Sequence, residues 1–261
     1  MTRRPLVALF GSPLVALLAA LSAGCSSTPP IVVGSDLDNA PFAYRDAQGQ
    51  AAGRDVDMMI AIAHMLDREL VWKHLDFAEL LPAAEAGRVD VVCATLGVTP
   101  ERSRRVAFTR PYFSTELVVL VREDPSAPSS LRELEARKVA AAPGTTSQRA
   151  VEQLLPEAIG VFETAAPGQP SSLERLLAGE VDALVLDGPA ADAALAAQPG
   201  KLRRLPGLFT PEHYALALPK DRSALRDQID DCLRTLQVGG SLQRWNGMYG
   251  LQEVHTAGAP D

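Results

Sequence analysis

Two stretches of the chain repeat one piece of punctuation. A helical run ending at Ala86 is followed by Gly87-Arg88-Val89-Asp90 and an apolar run, and a helical run ending at Ala178 is followed by Gly179-Glu180-Val181-Asp182 and another. Glycine just past a helix supplies the left-handed conformation that stops it. Apolar runs without alternation read as strands buried on both faces, which calls for helices packed on either side of a parallel sheet. In each copy the fifth residue after the Asp, Thr95 or Asp187, lies at the carboxyl end of a strand, where open α/β sheets place ligand sites. Two such units suggest two lobes with a cleft between them; chance recurrence of helix–turn–strand punctuation is the alternative.

The remaining pattern agrees with α/β. Ile31 to Gly34 and Val89 to Ala94 read as strands, and Val56, Met59, Ile60, Ala63 and Leu66 form a helical stripe with Asp55 and Asp57 placed to cap it. Strands are expected at Val139–Ala142 and Ala183–Leu186, and helices at Leu80–Ala86, Gln148–Leu155, Leu173–Ala178 and Ala190–Ala197. With 261 residues, 47% hydrophobic and only 5% aromatic, the core is built from Ala, Leu and Val, in one large domain or two small ones.

The amino-terminal segment reads as a signal. Arg3 and Arg4 precede an apolar run from Leu6 to Leu21 that Gly11 and Pro13 interrupt. Leu21-Ser22-Ala23-Gly24-Cys25 resembles a bacterial lipobox, although Leu21 stands one place earlier than the usual branched residue; an ordinary secretory signal is the alternative. The reading is a signal over 1–24, lipid on Cys25, and a flexible tether over 25–30. Losing the two arginines would take the net charge from -7 to -9, which argues against a nucleic-acid partner and for a soluble mature chain.

Catalytic and metal motifs are sparse. Cys93 and Cys232 read as buried free thiols, with a disulfide between them as the alternative, and His64, His74, His213 and His255 are scattered. There is no metal-ligand spacing, GxSxG, GxGxxG or P-loop, so neither a metal nor a cofactor is expected. Three features suit a charged ligand instead. Thr99-Pro100-Glu101-Arg102 starts a helix with a hydroxyl cap and a proline, and puts a cation in the first turn, against the helix dipole. Arg102 therefore needs an anion, which is a structural acid or a ligand carboxylate. Pro143-Gly144-Thr145-Thr146-Ser147 feeds a helix start that suits an anion, or is ordinary capping. Asp187 accepts from an ammonium group or caps the next helix. Together the three would satisfy a zwitterion.

At this point the residues carry a resemblance. Gly53-Arg54-Asp55-Val56-Asp57, the run Val89 to Arg105, Phe108 to Phe113, Pro143 to Gln148, and Tyr214 to Lys220 resemble the family 3 periplasmic solute-binding proteins of amino-acid ABC transporters. The likeness spans about Ile31 to Gly250. It implies the two-lobed, type II-like periplasmic-binding-protein fold, with two hinge crossovers near Tyr112–Glu116 and Pro211–Tyr214. Lobe 1 would be 31–112 plus 215–252, lobe 2 would be 117–210, and 253–261 a disordered tail. By the same resemblance Arg102 holds the ligand carboxylate, helped by Thr145 and Thr146. Asp187 and the Ala94 carbonyl, beside Thr95, hold its ammonium. Asp36 reaches the side chain and Phe77 walls the pocket. Two departures stand out: Asn39 replaces the aromatic expected before Pro41-Phe42, and Gly97 replaces a hydroxyl residue that assists the ammonium.

The resulting expectation is a monomeric, lipid-anchored periplasmic protein that captures a small zwitterion, a polar or basic amino acid, for an inner-membrane ABC permease. The runner-up is a dehydratase on the same scaffold, like cyclohexadienyl and arogenate dehydratases. That enzyme needs a cleft acid with a raised pKa; Asp36, Glu116 and Asp187 are the candidates, and the apparent lack of a further acid beside Asp187 favours binding. A sensor module would require another domain, which is not expected here. Arg104 and Arg105 read as a solvated face or a permease-docking surface, and His64 as an ordinary helix residue.

Overall fold

A computed structural model describes residues 28–163, 169–207 and 210–254; Cys25 and the signal-like segment lie outside them. The described residues open with β1 (Ile31–Ser35) and a small meander, β2 (Asp38–Asn39), β3 (Ala43–Arg45) and β4 (Ala51–Ala52). Then come α1 (Arg54–Met65), β5 (Leu70–His74), α2 (Phe77–Glu85), β6 (Val91–Val92), α3 (Pro100–Arg105) and β7 (Ala107–Phe108). The long β8 (Phe113–Arg122) leads into β9 (Lys138–Ala140), α4 (Thr146–Leu154), β10 (Ile159–Val161), α5 (Ser172–Ala178), β11 (Ala183–Asp187), α6 (Gly188–Ala197) and β12 (Leu202–Arg204). The chain returns along β13 (Pro211–Tyr214) to β14 (Ala217–Leu218), α7 (Ser223–Val238) and α8 (Ser241–Met248).

Two mixed sheets result. The first has the order β5-β1-β6-β14-β7, with β5, β1 and β6 parallel and β14 antiparallel to β6 and β7. The second runs β10-β9-β11-β8-β12, parallel through β10, β9 and β11 and antiparallel at β8. Between them β8 and β13 pair antiparallel, with Tyr214 opposite Phe113 and Pro211 opposite Glu116. Each sheet is apolar on both faces: Val119 and Val121 of β8 join one core with Val139, Val151 and Val185, while Val118 and Leu120 join another with Leu176, Leu184 and Ala191. A period of two on one strand thus serves two helix layers.

The repeated punctuation is structural. Gly87 and Gly179 have φ of 64° and 76°, and both helices close with the N–H of the residue after the glycine on the carbonyl five back. Val89 and Val181 are buried in each copy. The Asp then clamps the neighbouring strand from both sides: the Asp90 N–H donates to the Val32 carbonyl (2.8 Å) and its carboxylate accepts from the Val32 N–H (2.9 Å). Asp182 makes the same two bonds to Lys138, at 2.8 and 2.9 Å.

Several expectations shift. The Val89–Ala94 strand narrows to Val91–Val92, and Asp55 and Asp57 do not cap α1, whose start at Gly53 (φ 121°) has no side-chain cap. Asp55 is instead buried against Arg54 (3.0 Å) and the Tyr112 hydroxyl (2.6 Å), and Asp57 accepts from the Tyr249 hydroxyl. Glu253 and Val254, expected to begin a disordered tail, are tied to Ser114, and the rest of that tail lies outside the described residues. Cys93 and Cys232 are free and buried. Arg105 forms a two-bond pair with Glu85, so it braces α3 against α2.

Candidate ligand-binding cleft

Thr99 caps α3 by accepting from the Arg102 N–H (3.1 Å), which turns the Arg102 side chain inward, 6% exposed. Its guanidinium lies 5.8 Å from the centre of the Phe77 ring, a cation–π contact. It donates to the Gly97 carbonyl (2.8 Å) and, across to the second sheet's side, to the Gly144 carbonyl (3.1 Å). Among the described residues it has no ion-pair partner; Glu101, the nearest acid in sequence, pairs with Arg149 instead. Burial lowers the Arg102 pKa, opposed by the charges of Glu212, Asp187 and Glu101. A buried cation held by two neutral carbonyls keeps donors for an anion.

Asp187 ends β11 at the N-cap position of α6 but does not cap it. Its carboxylate accepts from the Tyr214 hydroxyl, delivered by β13. Tyr214 is fixed in turn by stacking on Phe113 (5.7 Å) and an edge contact with Phe42 (5.6 Å). Burial raises the Asp187 pKa, and Tyr214 and Arg102 pull it back.

A third charged group, Glu212 of β13, joins these two. It is 6% exposed, and burial together with the Asp187 charge pushes its pKa up to about 7, against the pull of the Thr146 hydroxyl and Arg102. This corrects the expectation that no further acid stands beside Asp187. Sequence reasoning missed Glu212 because its place depends on pairing of the return strand near Gly97, shown by the bridge between Gly97 and Tyr214. The available signal was the glycine itself: a Cβ at position 97 would come within 2.3 Å of a Glu212 carboxylate oxygen.

The other expected residues divide. Thr146, the first residue of α4, belongs to the cluster through Glu212. The Thr145 hydroxyl is committed to local structure, donating to the Ala142 carbonyl (2.6 Å) and accepting from the Gln148 N–H (3.3 Å). Ala94 is buried beyond β6. Thr95, held at a positive φ of 46°, accepts from the Asn39 amide (2.7 Å). Asn39 is therefore engaged with the strand end. The Asp36 Oδ1 is buried without a hydrogen-bond partner among the described residues; burial and the neighbouring Asp38 push its pKa up to about 7, against local backbone N–H groups. Glu116, another candidate acid, pairs with Arg204 (3.5 Å).

Comparison with known proteins agrees with this geometry. The description bacterial extracellular solute-binding proteins, family 3, fits residues 31–252. The chain belongs to that family. A relative from Bacillus subtilis (strain 168), named a probable amino-acid-binding protein, YxeM, is 28% identical over 250 residues, covering 92% of this chain and 93% of its own. An ancestral arginine-binding protein bound to arginine superposes with a TM-score of 0.76 at 28% identity, covering 85% of this chain and 99% of the other. The ancestral amino acid-binding protein AncCDT-1, a precursor of cyclohexadienyl dehydratase, superposes at 0.74 with 27% identity, covering 84% and 94%. As a family 3 solute-binding protein the chain has the two-lobed fold of these structures, and β8 and β13 are the strands that run between its sheets.

Proposed function

We propose that this solute-binding protein captures an amino-acid zwitterion with a polar or basic side chain and delivers it to an ABC permease. The observation that carries the reading is buried Arg102, whose guanidinium among the described residues bonds the Gly97 and Gly144 carbonyls while half-buried Asp187 stands near enough to stabilise its charge. Arg102 takes the ligand carboxylate; Asp187, oriented by Tyr214, takes the ammonium. Phe77 walls the site, and Asp36, with a buried oxygen that lacks a donor, favours a side chain carrying N–H groups. The named ligand of the arginine-bound ancestor supports a basic side chain. The lobes are 31–112 with 215–252, and 117–210. A screen of melting temperature against amino acids, opines and polyamines tests the reading: a concentration-dependent rise with arginine, histidine or glutamine supports it, and a rise confined to leucine-like ligands overturns it.

The same reading places the mature protein in the periplasm as a monomer anchored by lipid on Cys25, with 25–30 as tether. Among the described residues no helix is long and apolar enough to cross a membrane. Mass spectrometry of membrane-extracted protein should find acylated Cys25 as the first residue; an unmodified soluble chain starting elsewhere overturns it.

A second reading is favoured by Glu212 alone. A buried acid with a pKa near 7 beside Asp187 is what a dehydratase on this scaffold requires to protonate a leaving hydroxyl. Turnover of prephenate or arogenate by the purified protein would establish it; binding without turnover leaves capture as the function.

A further inference from the structure

The carboxylate of Glu212 occupies the space that a side chain at position 97 would fill. Its oxygens lie 2.3 and 3.2 Å from where a Cβ on Gly97 would stand, so the glycine and the acid form one fitted pair. The acid comes from β13 between the two sheets, next to Tyr214, whose hydroxyl holds Asp187. Each group facing it is accounted for: Arg102 from α3, Asp187 from β11, Thr146 from α4 and Tyr214 from its own strand, while His213 of the same strand turns to the Ser114 hydroxyl (3.0 Å). None of these forms an ion pair with Glu212 among the described residues, and the Arg102 guanidinium donates to the Gly97 and Gly144 carbonyls. Two carboxylates thus converge near one arginine, one more negative charge than a simple zwitterion clamp uses.

We infer that Glu212 is a specificity-determining residue, the third acceptor for the ligand's ammonium group, admitted to the site by the missing side chain at Gly97. The inference rests on the capture function proposed above. A primary ammonium has three N–H donors, and Asp187, Glu212 and a strand-end carbonyl supply three acceptors. The site therefore selects primary amines over secondary ones. A ligand cation beside Glu212 favours its ionised form, so binding expels the proton the free acid holds near pH 7. The sign follows: affinity is full above the free pKa of about 7 and falls as pH drops below it, by up to about tenfold per unit while the free acid is protonated and the bound acid is not.

Titration calorimetry of the intact protein with L-arginine, L-histidine and L-glutamine, in buffers of differing ionisation enthalpy at pH 6 to 8, reads the proton directly. For whichever amino acid binds, wild type should release a fraction of a proton at pH 7. Glu212→Gln should bind about tenfold more weakly at pH 7.5 and release none. Glu212→Ala should lose affinity as well, and Glu212→Ala with Gly97→Ser should regain part of it without the pH dependence, because a hydroxyl then fills the vacated space. N-methylation of the ligand's α-amine should weaken binding to wild type. Tight binding by wild type with no proton release, unchanged in Glu212→Gln, overturns the inference and leaves the capture function standing. Absence of binding to any amino acid overturns the capture function itself. Circular dichroism melts of each variant separate loss of contact from loss of fold.

Discussion

Arg102 is buried and Asp187 half-buried with incomplete compensation of their charges, a stability cost that the proposed clamp accounts for. Removing either partner leaves the opposite ligand charge buried alone, a loss of about 2–5 kcal/mol in comparable interfaces. Arg102→Ala and Asp187→Ala should therefore weaken amino-acid binding by at least about tenfold in calorimetry, with cooperative melting of the unliganded chain preserved; unchanged affinity in either rules out its assigned role. Glu212 and Asp36 carry the same cost in a form that pH reveals. Both have folded pKa values raised to about 7, above their unfolded values, so their contribution to stability is full in acid and is lost as pH rises through 7. The ligand-free protein should melt higher at pH 6 than at pH 8, and Glu212→Gln and Asp36→Asn should each raise the melting temperature at pH 8 by about 2–6 °C. A variant that melts no higher than wild type at pH 8 contradicts the raised pKa at that residue. Arg102 was legible in the sequence because a cation in a capped first turn is locally unfavourable. Glu212 was not, because nothing local marks an acid that is buried only by a partner strand from elsewhere in the chain.

At the scale of elements, the Gly-x-Val-Asp units were legible because the glycine stop and the apolar run after it are local signals, whereas the clamp their acids make on strands 58 and 44 residues away was not. The α3 start was legible for the same reason, through Thr99 and Pro100. Misplaced boundaries have an opposite origin. Asp55 and Asp57 lie in the first turn of α1, after the Gly53 N-cap, and tertiary partners claim them: Arg54, fully buried, bonds Asp55, Asn246 and the Tyr112 carbonyl, tying α1 to α8 and to the entry of β8. A hydrogen bond to a charged group outweighs a cap. The two clamps give a matched test. Asp90→Ala or Asp182→Ala removes one charged acceptor and leaves the Val32 or Lys138 N–H without it, which should cost about 1–3 kcal/mol in denaturant unfolding. Asp90 is the less exposed of the two side chains, 15% against 23%, so its loss should be the larger. Equal and negligible effects would show that the repeat is only punctuation.

For the whole molecule, the two-lobed fold makes capture a closure equilibrium, and the contacts between the lobes say which groups can bias it. The Arg149–Glu101 pair bridges α4 and α3, but its side chains are 33% and 56% exposed, and pairs of that kind contribute about 0.2–1 kcal/mol. The Arg102 bond to the Gly144 carbonyl is charged but only partly buried, worth at most about 1.5–3 kcal/mol. Neither approaches the roughly 5.5 kcal/mol of differential affinity needed to turn a mostly open population into a mostly closed one. On the assignment proposed above, the ligand supplies the remainder through Arg102 on one side and Asp187 on the other. Small-angle scattering should accordingly show a smaller radius of gyration with saturating amino acid than without. Glu101→Gln should shift affinity by less than about fivefold and leave that compaction intact, whereas Asp187→Ala should abolish it even at ligand concentrations that still occupy the Arg102 side. Compaction that survives Asp187→Ala would mean that closure is driven from one lobe, with Asp187 serving only to hold Tyr214.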